Sequence, residues 1–289
     1  MQDLAYDLRK LAARNKDGSY ATQANRGRIL SLAAKQIREE KYQNVRKASD
    51  LKGRHVNALV ARWQREELSA GTIKNRMSVM RWWAEKVGKP AIIPRDNSQL
   101  NIADRKYVSD ESKAKELDRE ALEKVKDMNV KMTLELQEAF GLRREEAIKF
   151  MPSYADQGDK IRLKSSWTKG GKEREIPIRN EQQRAVLDRA HKLAGKASLI
   201  PPEKTYIQHL KVYERHCTRA GLSKMHGLRH AYAQERYREL TGMKCPHQGG
   251  PKSKELNPDQ KARDHEVRLI ISKEMGHERE QITAVYLGR

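Results

Sequence analysis

Five residues in the second half of the chain have types and spacing that suit phosphoryl chemistry. Tyr286 lies nine positions after His277, and a His-Gly-Leu-Arg sequence further upstream contains His226 and Arg229. Arg143 follows an apolar helical segment in a Gly-Leu-Arg sequence. A tyrosine phenol has an ordinary pKa of about 10, so it needs a neighbouring base or neighbouring cations before it can act as a nucleophile. The set therefore predicts a hydroxyl nucleophile held among cations.

Arginine is the residue type expected where negative charge develops on phosphorus. Transesterification of a phosphodiester requires neutralisation of the pentacoordinate phosphorus, loss of a proton from the nucleophile and protonation of the leaving 5′-oxygen. A planar guanidinium donates two parallel hydrogen bonds to phosphate oxygens, which makes Arg143 and Arg229 the candidates. Glu146 lies one helical turn after Arg143, where it could hold the guanidinium. The sequence shows no acidic cluster with metal-site spacing, so we expect no metal and no other cofactor.

The order and local contexts of these segments resemble the tyrosine recombinase (phage integrase) family. Its catalytic domain contains an arginine in a Gly-Leu-Arg context, a lysine in a β-hairpin, His-x-x-Arg, Gly-His and a tyrosine nine residues later. The resemblance covers the second half of the chain and implies that Tyr286 forms a 3′-phosphotyrosine, without metal or ATP. Arg143 and Arg229 would bind the scissile phosphate. His226 would accept the tyrosine proton or hold the phosphate, and His277 would donate to a nonbridging oxygen.

The resemblance also assigns roles to three flanking residues. Lys169 lies in a predicted hairpin turn, in a sequence similar to the family's Lys-Gly-x-Lys-x-Arg segment, and would be the general acid for the leaving oxygen. Lys172 in the same turn is an alternative that the sequence leaves open. Glu146 stands where the family often has an acid, and His230 is expected to pack against the site.

The chain is strongly basic throughout. Its 289 residues include 60 Lys and Arg against 39 Asp and Glu, a formal charge of +21. Up to Asp104 there are 21 basic and 11 acidic residues, and after it 39 and 28. Two basic halves favour a polyanionic partner, and nucleic acid is the expected one.

The first half of the chain has helical periodicity. Apolar residues recur at three- and four-residue steps in four segments, the clearest of which is predicted to start with Thr72 as its N-cap. Its opposite face carries Lys74, Arg76 and Arg81, which we expect to lie on DNA phosphates. A linker rich in Pro and Asn is predicted from about Lys89. The resemblance implies a helical core-binding domain over 1–104 and a catalytic domain over 105–289.

The second half mixes helices with one hairpin. Residues 160–167 alternate apolar and polar positions, a Gly-Gly turn follows, and residues 173–178 form the return strand. The expected fold is therefore mainly α with a small β-hairpin (α+β). The polar stretch 241–264 is predicted to be a basic surface loop. Because more residues separate Arg229 from His277 than is usual in the family, we interpret this stretch as an insertion.

The expected partner is double-stranded DNA at specific recombination sites, with a homo-tetramer on DNA and accessory DNA-bending proteins implied by the family. Only three residues follow Tyr286, where the family commonly continues with a helix that docks on a neighbouring subunit, so the sequence leaves the assembly open. Two cysteines, Cys217 and Cys245, do not indicate a disulfide framework. The first residues do not resemble a signal peptide, and the sequence contains no apolar segment of membrane-spanning length. We expect a cytoplasmic protein, encoded by a bacterium, a phage or another mobile element.

Two other functions are compatible with parts of the pattern. A type IB topoisomerase shares the covalent chemistry but relaxes DNA without pairing two sites; the helical first domain and the His in His-x-x-Arg favour a recombinase. A DNA-binding accessory protein without turnover would not require the complete set of candidate residues.

Overall fold

A computed structural model describes residues 3–289. The chain divides into two compact units, Met1–Lys106 and Tyr107–Arg289. Most of the described residues are helical and the sheet has two strands, so the predicted mainly α fold with a small hairpin is confirmed. No helix in the described part of the chain is both long and apolar enough to cross a membrane.

The first unit is built from four helices around two buried tryptophans. Trp63 and Trp83 are at most 1% exposed, and each indole N–H has a partner: Gln36 Oε1 and the Ala48 carbonyl, both at 2.9 Å. Such pairing lets a tryptophan fill a core without a lost hydrogen bond. The helices are α1 (Leu4–Arg14), α2 (Tyr20–Glu39), α3 (Gly53–Arg65) and α4 (Ala70–Lys86).

Two local predictions for this unit need correction. The N-cap of α4 is Ser69, whose hydroxyl accepts from the Thr72 N–H at 3.3 Å, so Thr72 lies inside the first turn. The linker was expected to start near Lys89, whereas Ile93 and Ile102 are buried in the core of this unit. Apolar residues within the Pro- and Asn-rich stretch hold it against the helices.

The second unit surrounds a short antiparallel hairpin with helices. Strand β1 (Lys160–Leu163) pairs with β2 (Arg174–Pro177), and Pro177 stands at the strand end, where a missing N–H is tolerated. The helices before the hairpin are α5 (Arg119–Glu123), α6 (Met128–Phe140), α7 (Arg144–Ile148) and α8 (Pro152–Ala155). Those after it are α9 (Glu181–Ala194), α10 (Tyr206–Arg219), α11 (His226–Thr241), α12 (Pro258–Glu274) and α13 (Ala284–Leu287).

The stretch 241–264 is not a surface loop throughout. Helix α12 begins at Pro258, where proline is suited to the first turn, and the Asn257 side chain caps the helix by accepting from the Gln260 N–H at 2.9 Å. Cys245 and Leu256 are buried within the connection. The loop prediction was wrong because it rested on the Pro and Gly content of the stretch, which did not reveal that a helix starts there or that two of its residues are buried.

Candidate active site

The Tyr286 side chain lies among three of the other candidate residues. Its ring is 5% exposed, and its hydroxyl accepts from Arg229 Nε at 3.4 Å. The same oxygen is 3.5 Å from His277 Nε2, which is itself 3.4 Å from an Arg143 guanidinium nitrogen. Although these contacts are at the long end of the hydrogen-bond range, they bring a phenol, an imidazole and two guanidinium groups together.

Backbone carbonyls at two helix C-termini hold the arginines. Gly141 caps the C-terminus of α6 and Met275 caps that of α12, and the carbonyl of each accepts from Arg229. Arg143 donates to the same Met275 carbonyl at 3.1 Å. The last carbonyls of a helix lack intrahelical partners and carry partial negative charge, so they suit buried cations. Burial nevertheless lowers the pKa of Arg229, to about 10.

Glu146 orients the arginine side chains of the cluster through hydrogen bonds. Its oxygens accept from the Arg143 backbone N–H at 2.7 Å and from the Arg143 side chain at 2.8 Å. Burial would raise the pKa of this fully enclosed carboxyl, but Arg174 and the neighbouring guanidinium groups lower the pKa to about 2. The carboxylate is therefore ionised at neutral pH and fixes the Arg143 fork.

Arg174 is a further member of the cluster that was not among the residues predicted from the sequence. It is 8% exposed, donates to both Glu146 oxygens at 2.6 and 2.7 Å, and donates from Nε to the Glu274 carbonyl at 2.9 Å. The period of two along β2 places Arg174 on the same inward face as Ile176, and that signal was available in the sequence. With Arg143 and Arg229 it makes three guanidinium groups against one carboxylate.

Gly276 allows the backbone to approach these guanidinium groups. It has a φ of +68°, and a Cβ at this position would stand 3.0 Å from Arg174 Nη1 and 3.3 Å from Arg143 Nη1. Any other residue would be strained and would press on both arginines. The glycine of the Gly-His pair is therefore required by the geometry of the site.

Three histidines surround the tyrosine ring. The ring centroids of His230, His277 and His226 lie 4.7, 6.2 and 6.3 Å from that of Tyr286. Burial, followed by the Arg143 and Arg229 charges, lowers the pKa of His277 to about 4. Burial, followed by the Arg229 and Arg143 charges, also lowers the pKa of His226. Burial also lowers the pKa of His230 to about 4, and its Nδ1 has no hydrogen-bond partner. At neutral pH His230 and His277 are therefore uncharged.

The buried histidines predict a pH dependence of stability. An unfolded histidine binds a proton as the pH falls through about 6.5, whereas folded His230 stays neutral until about pH 4. Because the unfolded state then binds more protons, stability should fall from pH 6.5 to 4, by roughly 3 kcal/mol for His230. Denaturant unfolding of wild type and His230→Leu between pH 7 and 4.5 measures this slope. The variant should show a shallower slope, and the exposed-site control His265→Leu an unchanged one; equal slopes for all three would contradict the assignment.

The two hairpin lysines lie apart from the arginine cluster. Lys169 is exposed in the turn and forms no hydrogen bond or ion pair with any residue of the described chain. Lys172 is also exposed and pairs with Glu278, next to His277. The structure therefore does not bring either lysine into contact with the other candidate residues.

The basic residues of α4 are engaged within the first unit. Lys74 pairs with Asp104 at 2.8 Å, Arg76 stacks on Trp63 at 5.2 Å, and Arg81 donates to the Pro94 carbonyl. Burial lowers the pKa of both arginines. Neighbouring aromatic and carbonyl groups therefore hold the Arg76 and Arg81 guanidinium groups within the unit, while Lys74 pairs with the exposed Asp104.

Two family models match consecutive parts of the chain. One, described as "Phage integrase, N-terminal", matches residues 1–93, and the other, described as "Integrase", matches residues 101–235. The chain belongs to the tyrosine recombinase (phage integrase) family. No curated protein sequence matches it significantly.

Solved structures of tyrosine recombinases share the fold. A lambda integrase dimer bound to a COC′ core site has a TM-score of 0.61 at 15% identity, over 99% of this chain and 95% of the other. The Tn1549 transposon integrase with circular intermediate DNA has 0.56 at 15%, over 100% and 96%. The XerH site-specific recombinase bound to difH has 0.56 at 16%, over 98% and 80%. At these identities the likeness establishes the integrase fold.

Proposed function

We propose that this chain is a site-specific DNA recombinase or integrase of a phage or other mobile element. It cleaves one DNA strand by attack of the Tyr286 hydroxyl on a phosphodiester, forming a 3′-phosphotyrosine, and rejoins strands when a free 5′-hydroxyl attacks that linkage. One phosphate ester replaces another at each step, so the reaction needs neither ATP nor a metal ion. The observation that carries the proposal is the convergence of Tyr286, Arg229, His277 and Arg143.

The charge of the cluster supports this reaction. Three guanidinium groups and one ionised carboxylate leave a charge of +2 next to the phenol, and the pentacoordinate phosphorus of a phosphodiester develops a charge of about −2. Arg143 and Arg229 bind its nonbridging oxygens. Arg174 acts on Arg143 through Glu146, whose oxygens accept hydrogen bonds from both side chains. Because helix ends already orient the guanidinium groups, little reorganisation is needed during the reaction.

The neutral histidines provide for the proton of Tyr286. His277 Nε2 lies 3.5 Å from the phenol oxygen, and because its lowered pKa keeps the ring neutral at neutral pH, this nitrogen can accept a hydrogen bond from the phenol. His226 is exposed whereas His277 is half-buried, which suits His226 for contact with the phosphate. His230 packs against the ring of Tyr286 and restricts its orientation.

Lys169 is proposed as the general acid, and a substrate with a better leaving group tests this. Lys169→Ala should slow cleavage of an ordinary phosphodiester about 100- to 1,000-fold. In a substrate with sulfur in place of the 5′-bridging oxygen, the leaving group is a thiolate, which needs no proton. The variant should therefore cleave this substrate at nearly the wild-type rate. Single-turnover cleavage of the two substrates measures the ratio.

Lys172→Ala is the matched control in the same turn. It removes an exposed pair with Glu278, which contributes little in water, so both substrates should react as with wild type. If instead Lys172→Ala shows the sulfur-dependent recovery and Lys169→Ala does not, the general acid is Lys172.

The partner is double-stranded DNA, bound by both basic units as a core-binding domain and a catalytic domain. Related structures include a lambda integrase dimer on a core site and a lambda integrase tetramer on a Holliday junction. We therefore propose a homo-tetramer on paired sites within the cytoplasm, with accessory DNA-bending proteins.

Incubation with a nicked suicide duplex that carries the native site tests the function. Loss of a short 5′-fragment should trap the protein on DNA, and peptide mapping should locate the linkage at Tyr286. Products joining two different duplexes identify strand exchange, whereas relaxation of a supercoiled plasmid without such products would contradict the recombinase proposal.

A further inference from the structure

The connection between α11 and α12 packs on the segment that carries the nucleophile. We call residues 245–250 the strap. Its Cys245 is fully buried, and a Cβ on Gly288 would lie 2.8 Å from His247 Cδ2 and 3.0 Å from Pro246 Cβ. Gly288 has a φ of +80°, so both its conformation and its close approach to the strap favour glycine. The chain just after Tyr286 is therefore fitted against the strap.

His247 connects this segment to the beginning of the second unit. Its Nδ1 is 2.9 Å from the Tyr286 carbonyl oxygen, and its Nε2 is 2.9 Å from the Ser109 carbonyl oxygen. Both partners are acceptors only, so both ring nitrogens must donate. A neutral imidazole donates one hydrogen bond and the imidazolium donates two. His247 thus bridges the Tyr286 and Ser109 carbonyl oxygens through its two ring nitrogens.

The backbone near Tyr286 has few other restraints. Helix α13 has four residues, and the preceding Glu280–Thr283 is a 3₁₀ turn, so neither element is stable by itself. The Tyr286 carbonyl accepts from His247 and from Gln234 Nε2, also at 2.9 Å. Arg268 holds the Gly288 carbonyl at 3.1 Å. These side chains fix the backbone from which the phenol projects.

We propose that His247 is a positioning residue for the nucleophile, acting through the Tyr286 carbonyl. The inference rests on the proposed function of Tyr286 and goes beyond it, because His247 touches neither the phenol nor the arginine cluster. Attack on phosphorus requires the oxygen to be placed within a few tenths of an ångström, and small displacements cost rate rather than affinity. Without the contacts of His247, the Tyr286 hydroxyl keeps its reactivity but occupies the position for attack less often.

Single-turnover cleavage of the suicide duplex separates positioning from binding. His247→Leu removes both donors and should slow formation of the covalent adduct about 10- to 100-fold at saturating DNA. His247→Gln keeps an amide donor for the Tyr286 carbonyl and should recover part of that loss. DNA affinity, measured by gel shift, should stay within about twofold of wild type for both. Gly288→Ala would displace the His247 ring, because the added methyl group would press on it. This variant should also slow adduct formation while DNA affinity stays near the wild-type value.

His265→Gln, an exposed histidine on α12, is the matched control and should react as wild type. Wild-type rates for His247→Leu, or a loss of rate that a parallel loss of DNA affinity explains, would overturn the positioning role while leaving the proposed function intact. A wild-type protein that forms no adduct through Tyr286 would overturn both.

Discussion

Replacing Tyr286 by phenylalanine is expected to abolish the covalent protein–DNA adduct while DNA binding is retained. The substitution removes only the phenolic oxygen, which contacts Arg229 and His277 but no backbone group among the described residues. Loss of a nucleophile lowers the rate to the background level, a decrease of at least about 10⁴-fold. Adduct that survives SDS, followed over time on the suicide duplex, measures the effect, and gel shift measures occupancy.

Tyr213→Phe is a suitable control because Tyr213 is equally buried but packs in a different cluster of the second unit. Its hydroxyl accepts from Gln137, so a modest loss of stability is expected, with normal adduct formation. If Tyr286→Phe still became attached to DNA, another side chain would be the nucleophile.

Arg229→Ala is expected to reduce cleavage about 10³-fold at matched DNA occupancy. The substitution removes a guanidinium that would stabilise charge on phosphorus and that contacts the Tyr286 hydroxyl. It also leaves the Gly141 and Met275 carbonyls with one donor fewer inside the protein, so some loss of stability should accompany the kinetic defect. Rate and denaturant unfolding must therefore be measured together.

Arg229→Lys separates the two effects, since it keeps the charge but loses the planar fork. It should remain more stable than Arg229→Ala yet stay at least about 10-fold slower than wild type. Arg144→Ala is the control for arginine loss in general, because Arg144 is half exposed and pairs with Glu214 on the surface. Cleavage by Arg229→Ala at the wild-type rate would remove Arg229 from the mechanism.

Local sequence signals were sufficient for the long helices and for the pairing of the two hairpin strands, because their apolar periodicity matches their buried faces. The first strand is shorter than predicted, since β1 ends at Leu163 and Ser165–Trp167 form a 3₁₀ turn. Local signals failed where tertiary contacts decide. In the second unit the first helix, α5, starts only at Arg119, after Asp118 caps it. Upstream of that cap the Lys115 N–H donates to the Gly227 carbonyl at 3.1 Å, so this segment runs along α11 as extended chain. No periodicity in the segment itself could reveal that partner.

The candidate site also contains residues that the sequence predicts and residues that only the structure identifies. Motif order singled out Arg143, Arg229, His277 and Tyr286, and the structure brings these four together. The roles of Arg174 and His247 depend on groups far along the chain, on Glu146 for one and on the Ser109 and Tyr286 carbonyls for the other. Only the folded backbone defines such pairings, although the inward position of Arg174 on its strand was readable.

One turn of backbone at the end of α12 holds all three guanidinium groups. The Glu274 carbonyl accepts from Arg174, and the Met275 carbonyl accepts from both Arg143 and Arg229. The three forks therefore cannot be adjusted one at a time. A shift of this helix end along its axis would displace all three guanidinium groups at the same time. The arginine cluster should therefore be either fully formed or fully lost, and any interaction that moves α12 would regulate it.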